Sequence, residues 1–512
     1  MLSRREFIKA GMMAGACAGL SSVLPRFAFG AADQKYNVLF IVGDDMRTTL
    51  GCYGAPIIKT PNMDKLAASG TLFKRAYCQQ ALCSPSRTSL MTGKRPDTTG
   101  IYNLQYHFRK FMPDAVTLPQ QFMKHGYFAQ GLSKIYHSGL DDAASWSVPH
   151  WNPKAPTYLK PESIRARKKL EEQLIAEGKD YKEHVVETDP ETGMPLKVDR
   201  ADVKLKGPAW ESPDCPDNAL ADGMTADKAI ECLREIKDKP FFLAVGFHKP
   251  HLPLVAPKKY HDLYDPSEIK LAPNPFKPKD MPEVAFYNSA EMRAYTDIPD
   301  VGPIDRTKAR ELIHAYYACV SYTDAQIGRV IGELERLGLR EKTIIVLWGD
   351  HGWQLGEHDI WCKHTNFEEA TRAPLIISVP GQKHQGAKPE ALAEFVDIYP
   401  TLCDLAGLPV PRDLEGTSLV PIIEHPNRPW KRAAFSQYPR PDGVMGYSMR
   451  TDRYRYTEWV KKGSGEPPVG VELYDYKTDP QGNVNIAGLP ESKGLVAKLA
   501  GQLKDGWRAA RP

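Results

Sequence analysis

The sequence predicts a doubly wound α/β sheet carrying a smaller second domain, and three observations lead there. Uninterrupted apolar runs at 36–43, 241–246 and 343–349 have the length and composition of strands covered on both faces of a parallel sheet. Segments with helical periodicity and recognisable start and stop residues separate these runs. Each run also ends on polar residues, and in open α/β sheets ligands sit beyond the carboxyl ends of the strands.

The first strand, 36–43, ends at Asp44 and Asp45. Thr60 then caps a helix with Pro61 at its first position, and Gly70 supplies the stop. The arrangement repeats over 117–125, where Gly126 leads into a strand ending near Lys134. Thr225 reads as the cap of a helix whose Ala226, Ile230, Leu233 and Ile236 share one face; Pro240 precedes the strand that runs toward His248. A long helical pattern from about 306 to 337 stops at Gly338, and the strand 343–349 ends at Asp350 and His351. Asp44, Asp45, Lys134, His248, Asp350 and His351 are therefore expected along one edge of the sheet. Pro and Gly become frequent over 407–446, after which 446–459 and 471–476 read as short antiparallel strands before a terminal helix near 495–507. The expected division is a leader over 1–32, a main domain over 33–430 and a smaller C-terminal α+β domain over 431–512. The polar stretch 161–206 has little apolar periodicity and reads as a surface insertion.

Composition supports a folded protein: 42% hydrophobic and 25% charged residues exclude a disordered or fibrous chain. Of the formal net charge of +4, residues 1–32 carry +3, from Arg4, Arg5, Lys9 and Arg26 against Glu6. The remainder is close to neutral, which argues against nucleic acid as a partner. Residues 3–9 look like a twin-arginine export signal, followed by an uncharged stretch rich in Ala, Gly and Met; cleavage near Ala28 to Ala31 fits the small residues there. The expected destination is the periplasm or the exterior. No later segment has the ~20 consecutive apolar residues of a membrane span, so no stable anchor is expected. Beyond the leader, eight scattered cysteines without a Cys-x-x-Cys pair argue against a zinc knot or a disulfide framework.

The chemistry-bearing residues form a pattern. Asp44, Asp45 and Asp350 offer hard carboxylate oxygens that suit Ca²⁺ or Mg²⁺ rather than zinc, although adjacent acids after a strand can equally serve as helix caps. Cys83-Ser84-Pro85-Ser86-Arg87, followed by Leu90, Met91, Thr92 and Gly93, resembles the sulfatase signature.

That resemblance implies an alkaline-phosphatase-like mixed sheet and the hydrolysis of a sulfate ester. It implies that a formylglycine-generating or sulfatase-maturing enzyme oxidises Cys83 to formylglycine, whose aldehyde hydrate is the nucleophile. One Ca²⁺ would be held by Asp44, Asp45, Asp350, His351 and the modified Cys83. Asp350 would serve as the base for attack, and Arg87 would hold the hydrate or a sulfate oxygen. Lys134 and Lys363 would bind sulfate oxygens, His248 would protonate the leaving alcohol, and His137 would take a proton from the second hydroxyl. The second family signature has Gly immediately before the lysine, where this chain has Ser133, which reads as a local turn change. Segments 95–99, 241–253, 351–358, 436–441 and 445–459 resemble the branch that removes 2-O-sulfate from uronates such as iduronate, which implies a sulfated carbohydrate substrate. Trp353 is a candidate to stack on a sugar ring, and Arg450 or Arg453 to pair with a uronate carboxylate. Two other readings are a phosphatase or phosphodiesterase of the alkaline phosphatase superfamily, which would want Thr or Ser as nucleophile and a second metal cluster, and a non-catalytic sugar-binding relative, which would lack ligands or nucleophile.

Overall fold

Six strands form the central sheet of the computed structural model, which describes residues 35–179, 185–198 and 205–512. The expected export signal lies outside the described residues. Four strands run parallel in the order Thr343–Gly349, Asn37–Gly43, Phe241–Phe247, Phe128–Ser133. Leu375–Ser378 adds antiparallel to Thr343–Gly349, and Thr71–Leu72 pairs antiparallel with Leu375–Ser378 at the edge, so the sheet is mixed. Every residue of Asn37–Gly43, Phe241–Phe247 and Thr343–Gly349 is buried, as continuous apolar strands covered on both faces should be. Asn37–Gly43 is flanked by two later strands, which makes its carboxyl end the point where the winding reverses, the usual ligand crevice of such sheets.

Helices cover both faces. The helix Pro61–Ser69 starts and stops where Thr60, Pro61 and Gly70 predict, and Thr117 forms a capping box with Gln120 at the start of Leu118–Met123. The long helix is Arg306–Arg336, with Asp305 accepting from the backbone N–H groups of Thr307 and Lys308. One helix start differs from expectation: Ala221–Ile236 begins a turn before Thr225. Tyr322 OH accepts from the Gly223 N–H, and Thr225 Oγ1 donates back to the Ala221 carbonyl from inside the helix. A tertiary partner thus satisfies a donor that a cap would otherwise meet.

The C-terminal lobe is a four-stranded antiparallel sheet, Ala434–Pro439, Val444–Arg450, Tyr454–Lys461 and Gly470–Asp475, under the helix Lys493–Ala509. Its own small core contains Met449, Tyr456, Leu473 and Leu499. The first of these strands lies inside the Pro- and Gly-rich stretch, whose composition conceals it. It is pinned to the loop before Cys83, with the Gln437 N–H donating to the Gln79 carbonyl at 2.8 Å and Ser436 Oγ to the Cys78 carbonyl at 2.6 Å. The described residues of the stretch 161–206 hold the helix Pro161–Ala176 and the hairpin Val185–Thr188 with Pro195–Val198. No helix among the described residues is long and apolar enough to cross a membrane.

Ser133 stands where the signature has Gly, in a backbone conformation that glycine favours. It ends its strand at φ +61°, in the left-handed region that glycine enters freely and a side chain does not. Its N–H donates to the Trp151 carbonyl at 2.7 Å, its carbonyl meets His150 Nε2 at 2.7 Å, and its hydroxyl is buried without a partner among the described residues. Ser133→Gly should therefore stabilise the protein by about 1 kcal/mol, measured as a higher thermal midpoint, without loss of structure.

Candidate active site

The strand ends gather three carboxylates into one buried volume. Asp44 follows Asn37–Gly43 and extends the ladder, its N–H donating to the Phe247 carbonyl at 3.1 Å. Asp45 turns the chain at φ +61° and donates its N–H to Asp350 Oδ1 at 3.0 Å, while Tyr316 OH donates to its carbonyl. Asp350 Oδ1 also accepts from the His351 N–H at 3.1 Å. Asp44, Asp45, Asp350 and His351 are all fully buried. Adjacent uncompensated carboxylates in such a place would be prohibitively costly, so cations must accompany them.

Arg87 supplies the first. It lies one turn into the helix Cys83–Thr92, every residue of which is buried. Its Nε donates to Asp350 Oδ2 at 2.9 Å and its Nη2 to Asp44 Oδ1 at 2.9 Å, while Nη1 reaches the carbonyls of Lys134 and Ile135. Lys134 Nζ donates to Asp44 Oδ2, and Lys363 Nζ donates to both Asp45 oxygens at 2.9 and 3.0 Å. Burial opposes ionisation of Asp44, but Lys134 and Arg87 hold it well below the usual carboxylate range. Burial wins at Asp45, which it pushes up to about 7 against the pull of Lys363.

Cys83 opens its helix against these groups, its Sγ 3.5 Å from Asp44 Oδ1 and 3.4 Å from His351 Nε2. Burial, and then the charge of Asp44, raise its thiol well above the ordinary value. An unmodified Cys83 is therefore a neutral thiol and a poor nucleophile. His351 Nδ1 lies 3.0 Å from the Gly352 carbonyl and donates to it, while Nε2 faces Cys83, Asp45 Oδ1 at 3.4 Å and Asp350 Oδ2 at 3.5 Å. Carboxylate oxygens, a sulfur and a ring nitrogen gathered in this way form a ligand set for a divalent cation. The ligand atoms of Asp44, Asp45, Cys83 and His251 lie within 4.8 Å of one another, as do those of Cys83, Asp350 and His351.

The outer histidines approach from separate loops. The backbone N–H groups of His248 and Lys249 donate to the two oxygens of Asp222 at 2.7 and 2.9 Å, so a helix acid clamps the His-Lys-Pro-His loop. Burial and Lys134 push the His248 ring down to about 3. His137, three residues past Lys134, places Nε2 3.0 Å from Lys197 Nζ. Three residues that sequence reasoning missed join this group: His251, Glu291 and Lys197. His251 sits in the same short loop as His248, and its spacing is a usable signal. Glu291 Oε1 meets Lys363 Nζ at 3.0 Å and His251 Nε2 at 3.3 Å, from a helix of four residues, Ala290–Arg293, that no pattern marks.

Two of the three candidate sugar contacts, Trp353 and Arg450, are corrected by their burial. Trp353 is fully buried, stacked on Tyr316 at 6.4 Å and beneath Lys363, where no sugar ring can reach. Arg450 is buried and donates to Glu368 Oε2 at 3.1 Å beside Arg455. Arg453 is paired with Asp475 through two bonds of 2.7 and 2.6 Å. Arg450 braces the C-terminal sheet against Glu368, while Arg453 stands in the turn before Tyr454–Lys461 and is partly exposed.

A mixed sheet whose strand ends hold a buried carboxylate cluster, a cation-compatible pocket and a cysteine at a helix start defines a metal-dependent ester hydrolase. Residues 36–408 match the family described as Sulfatase, and 356–508 match the one described as N-sulphoglucosamine sulphohydrolase, C-terminal. The chain is 34% identical to the iduronate 2-sulfatase of Mus musculus, over 92% of this chain and 94% of that protein, and 35% identical to that of Homo sapiens, over 83% and 85%. Its fold resembles the phosphonate monoester hydrolase of Agrobacterium radiobacter, with a TM-score of 0.70 and 22% identity over 93% of this chain and 96% of that one. The chain belongs to the sulfatase family and is a hydrolase of that type.

Arg87 joins Asp44 to Asp350 with no exposure of any partner. Arg87→Met should lower stability by about 3–5 kcal/mol, because it strands two buried carboxylates; chemical denaturation checks this.

Proposed function

We propose that the protein removes O-sulfate from a sulfated carbohydrate, with uronate 2-O-sulfate of the iduronate type as the favoured substrate, and that it works in the periplasm or outside the cell. The observation that carries the chemistry is Cys83: a buried, un-ionised thiol at a helix start, within 3.5 Å of an acid and a histidine ring nitrogen. The similarity to the mouse and human proteins along most of the chain supports the substrate.

The residues fit a hard cation, proposed as one Ca²⁺, held by Asp44, Asp45, Asp350, His351 and the modified Cys83. When bound it supplies polarisation of a sulfate oxygen and relief of the repulsion that protects a sulfate ester from attack. Oxidised to formylglycine by a maturing enzyme, Cys83 supplies an aldehyde hydrate, one hydroxyl for attack on sulfur and a second that lets sulfate depart by elimination.

Around these groups the protein's own side chains hold and move charge. Arg87 fixes Asp44 and Asp350 relative to each other, and Asp350 accepts a proton during attack. Lys134 and Lys363 hold sulfate oxygens. His248 gives a proton to the leaving alcohol oxygen; its ring is kept low by burial and Lys134, and the negative charge of a bound sulfate raises it into working range. His137 takes up a proton on its ring.

Two experiments test this. Mass spectrometry of the Cys83 peptide from active protein should show formylglycine, and Cys83→Ala should lower sulfate release from 2-O-sulfated uronate disaccharides by about 10³-fold or more. Activity confined to phosphate esters would overturn the class, whereas activity confined to other sugar sulfates would overturn only the substrate. For the cation, Ca²⁺ at about one hundred times its dissociation constant should add ~2.7 kcal/mol of stability, seen as a raised thermal midpoint that a chelator reverses and Asp45→Asn abolishes.

A further inference from the structure

The stretch 161–206 reaches the active site at one point. The hairpin Val185–Thr188 with Pro195–Val198 docks on the 102–110 segment: the Lys197 N–H donates to the Gln105 carbonyl at 2.9 Å, Leu196 bridges Tyr106, and Lys110 Nζ bonds Asp189 at 2.9 Å. On the other side of the hairpin, Val186 and Lys197 fill the space above Gly139, where a Cβ would come within 2.9 Å of Val186. This docking buries Lys197 to 8% exposure and puts its Nζ 3.0 Å from His137 Nε2.

An ammonium has donors only, so the His137 nitrogen it meets must accept. The lone pair is then on Nε2 and the ring proton on Nδ1, which is buried and has no partner among the described residues. A second positive charge on the ring would lie against the ammonium. We propose that Lys197 is a positioning residue that keeps His137 uncharged with its lone pair on Nε2, the state in which the ring can take a proton. The ammonium gives way to an incoming hydroxyl by swinging on its flexible stem, and the proton that leaves that hydroxyl then resides on Nε2. This role for Lys197 rests on the proton-accepting part proposed for His137.

Among the described residues, the charged groups that act most on His137 are Lys197 on the hairpin, Lys134 on its own loop, Asp44 at the end of the first strand and Arg87 on the helix Cys83–Thr92. Burial first, and then Lys197, hold the ring well below the ordinary histidine value, with Asp44 the one opposing charge among them. Removing Lys197 must therefore move the ring upward.

Histidine-selective NMR titration of the unmodified Cys83 protein reads this without turnover, the His137 signal being assigned by its loss in His137→Gln. Lys197→Met should raise the His137 midpoint by about one pH unit or more and shift the ring toward the Nε2–H tautomer, while Lys197→Arg should leave both near the starting values. In the matured enzyme, the acidic limb of kcat should move to higher pH by a similar amount in Lys197→Met, close to a tenfold loss on that limb, and stay in place in Lys197→Arg. An unmoved His137 titration in a folded Lys197→Met, judged by an unchanged thermal midpoint, overturns the proposal. So does a turnover loss that is equal at every pH. If His137→Gln keeps full turnover while the titration shifts as stated, the pairing stands and the part assigned to His137 fails instead.

Discussion

Three carboxylates with no exposure to water set the terms for this molecule. Asp44, Asp45 and Asp350 arrive from two adjacent parallel strands, and the sheet register leaves them nowhere else to go. Like charges so placed repel, and burial raises the cost of each. The surrounding structure answers that constraint: Arg87 ties Asp44 to Asp350, Lys134 meets Asp44, Lys363 meets Asp45, and backbone N–H groups of Asp45 and His351 converge on Asp350. The same arrangement that stabilises the acids gathers their oxygens with the spacing of metal ligands.

The C-terminal lobe applies the same physics at its seams. Arg95 grips Glu394 through two bonds of 2.8 and 2.9 Å, and Lys431 adds contacts to Glu394 and Asp397, all buried. Glu368 is held by Arg450 and Arg455, which keep it well below the usual carboxylate range despite burial. These braces span the catalytic sheet's flank and the four-stranded sheet. Breaking one leaves a desolvated charge, so they fix the relative placement of the elements more firmly than apolar contact alone.

What is legible in the sequence follows from period and punctuation. Continuous apolar runs specify buried parallel strands whatever surrounds them, so the positions of the strand ends and of the acids on them follow from the order of residues alone. Cys83 and Arg87 are legible because a compact motif carries them. The parts that escape depend on contacts distant along the chain. The helix at Ala221 starts early because Tyr322, 99 residues away, satisfies its Gly223 N–H. Glu291 matters only because folding brings it to Lys363 and His251, and no local pattern announces that. Trp353 is misread for a related reason: an aromatic beside a site looks the same in sequence whether it faces the cleft or supports a lysine from beneath.

The joint between Ser436 and Cys78 links residues 358 positions apart. The loop that delivers Cys83 is thus fastened by a strand made only in the last part of the chain. Cys83 is enclosed by groups drawn from across the chain, with Asp44 and His351 against its sulfur and the strand Ala434–Pro439 against the loop before it. Its enclosure is complete only once residues from both ends of the chain are in place, and the finished fold leaves it at 2% exposure.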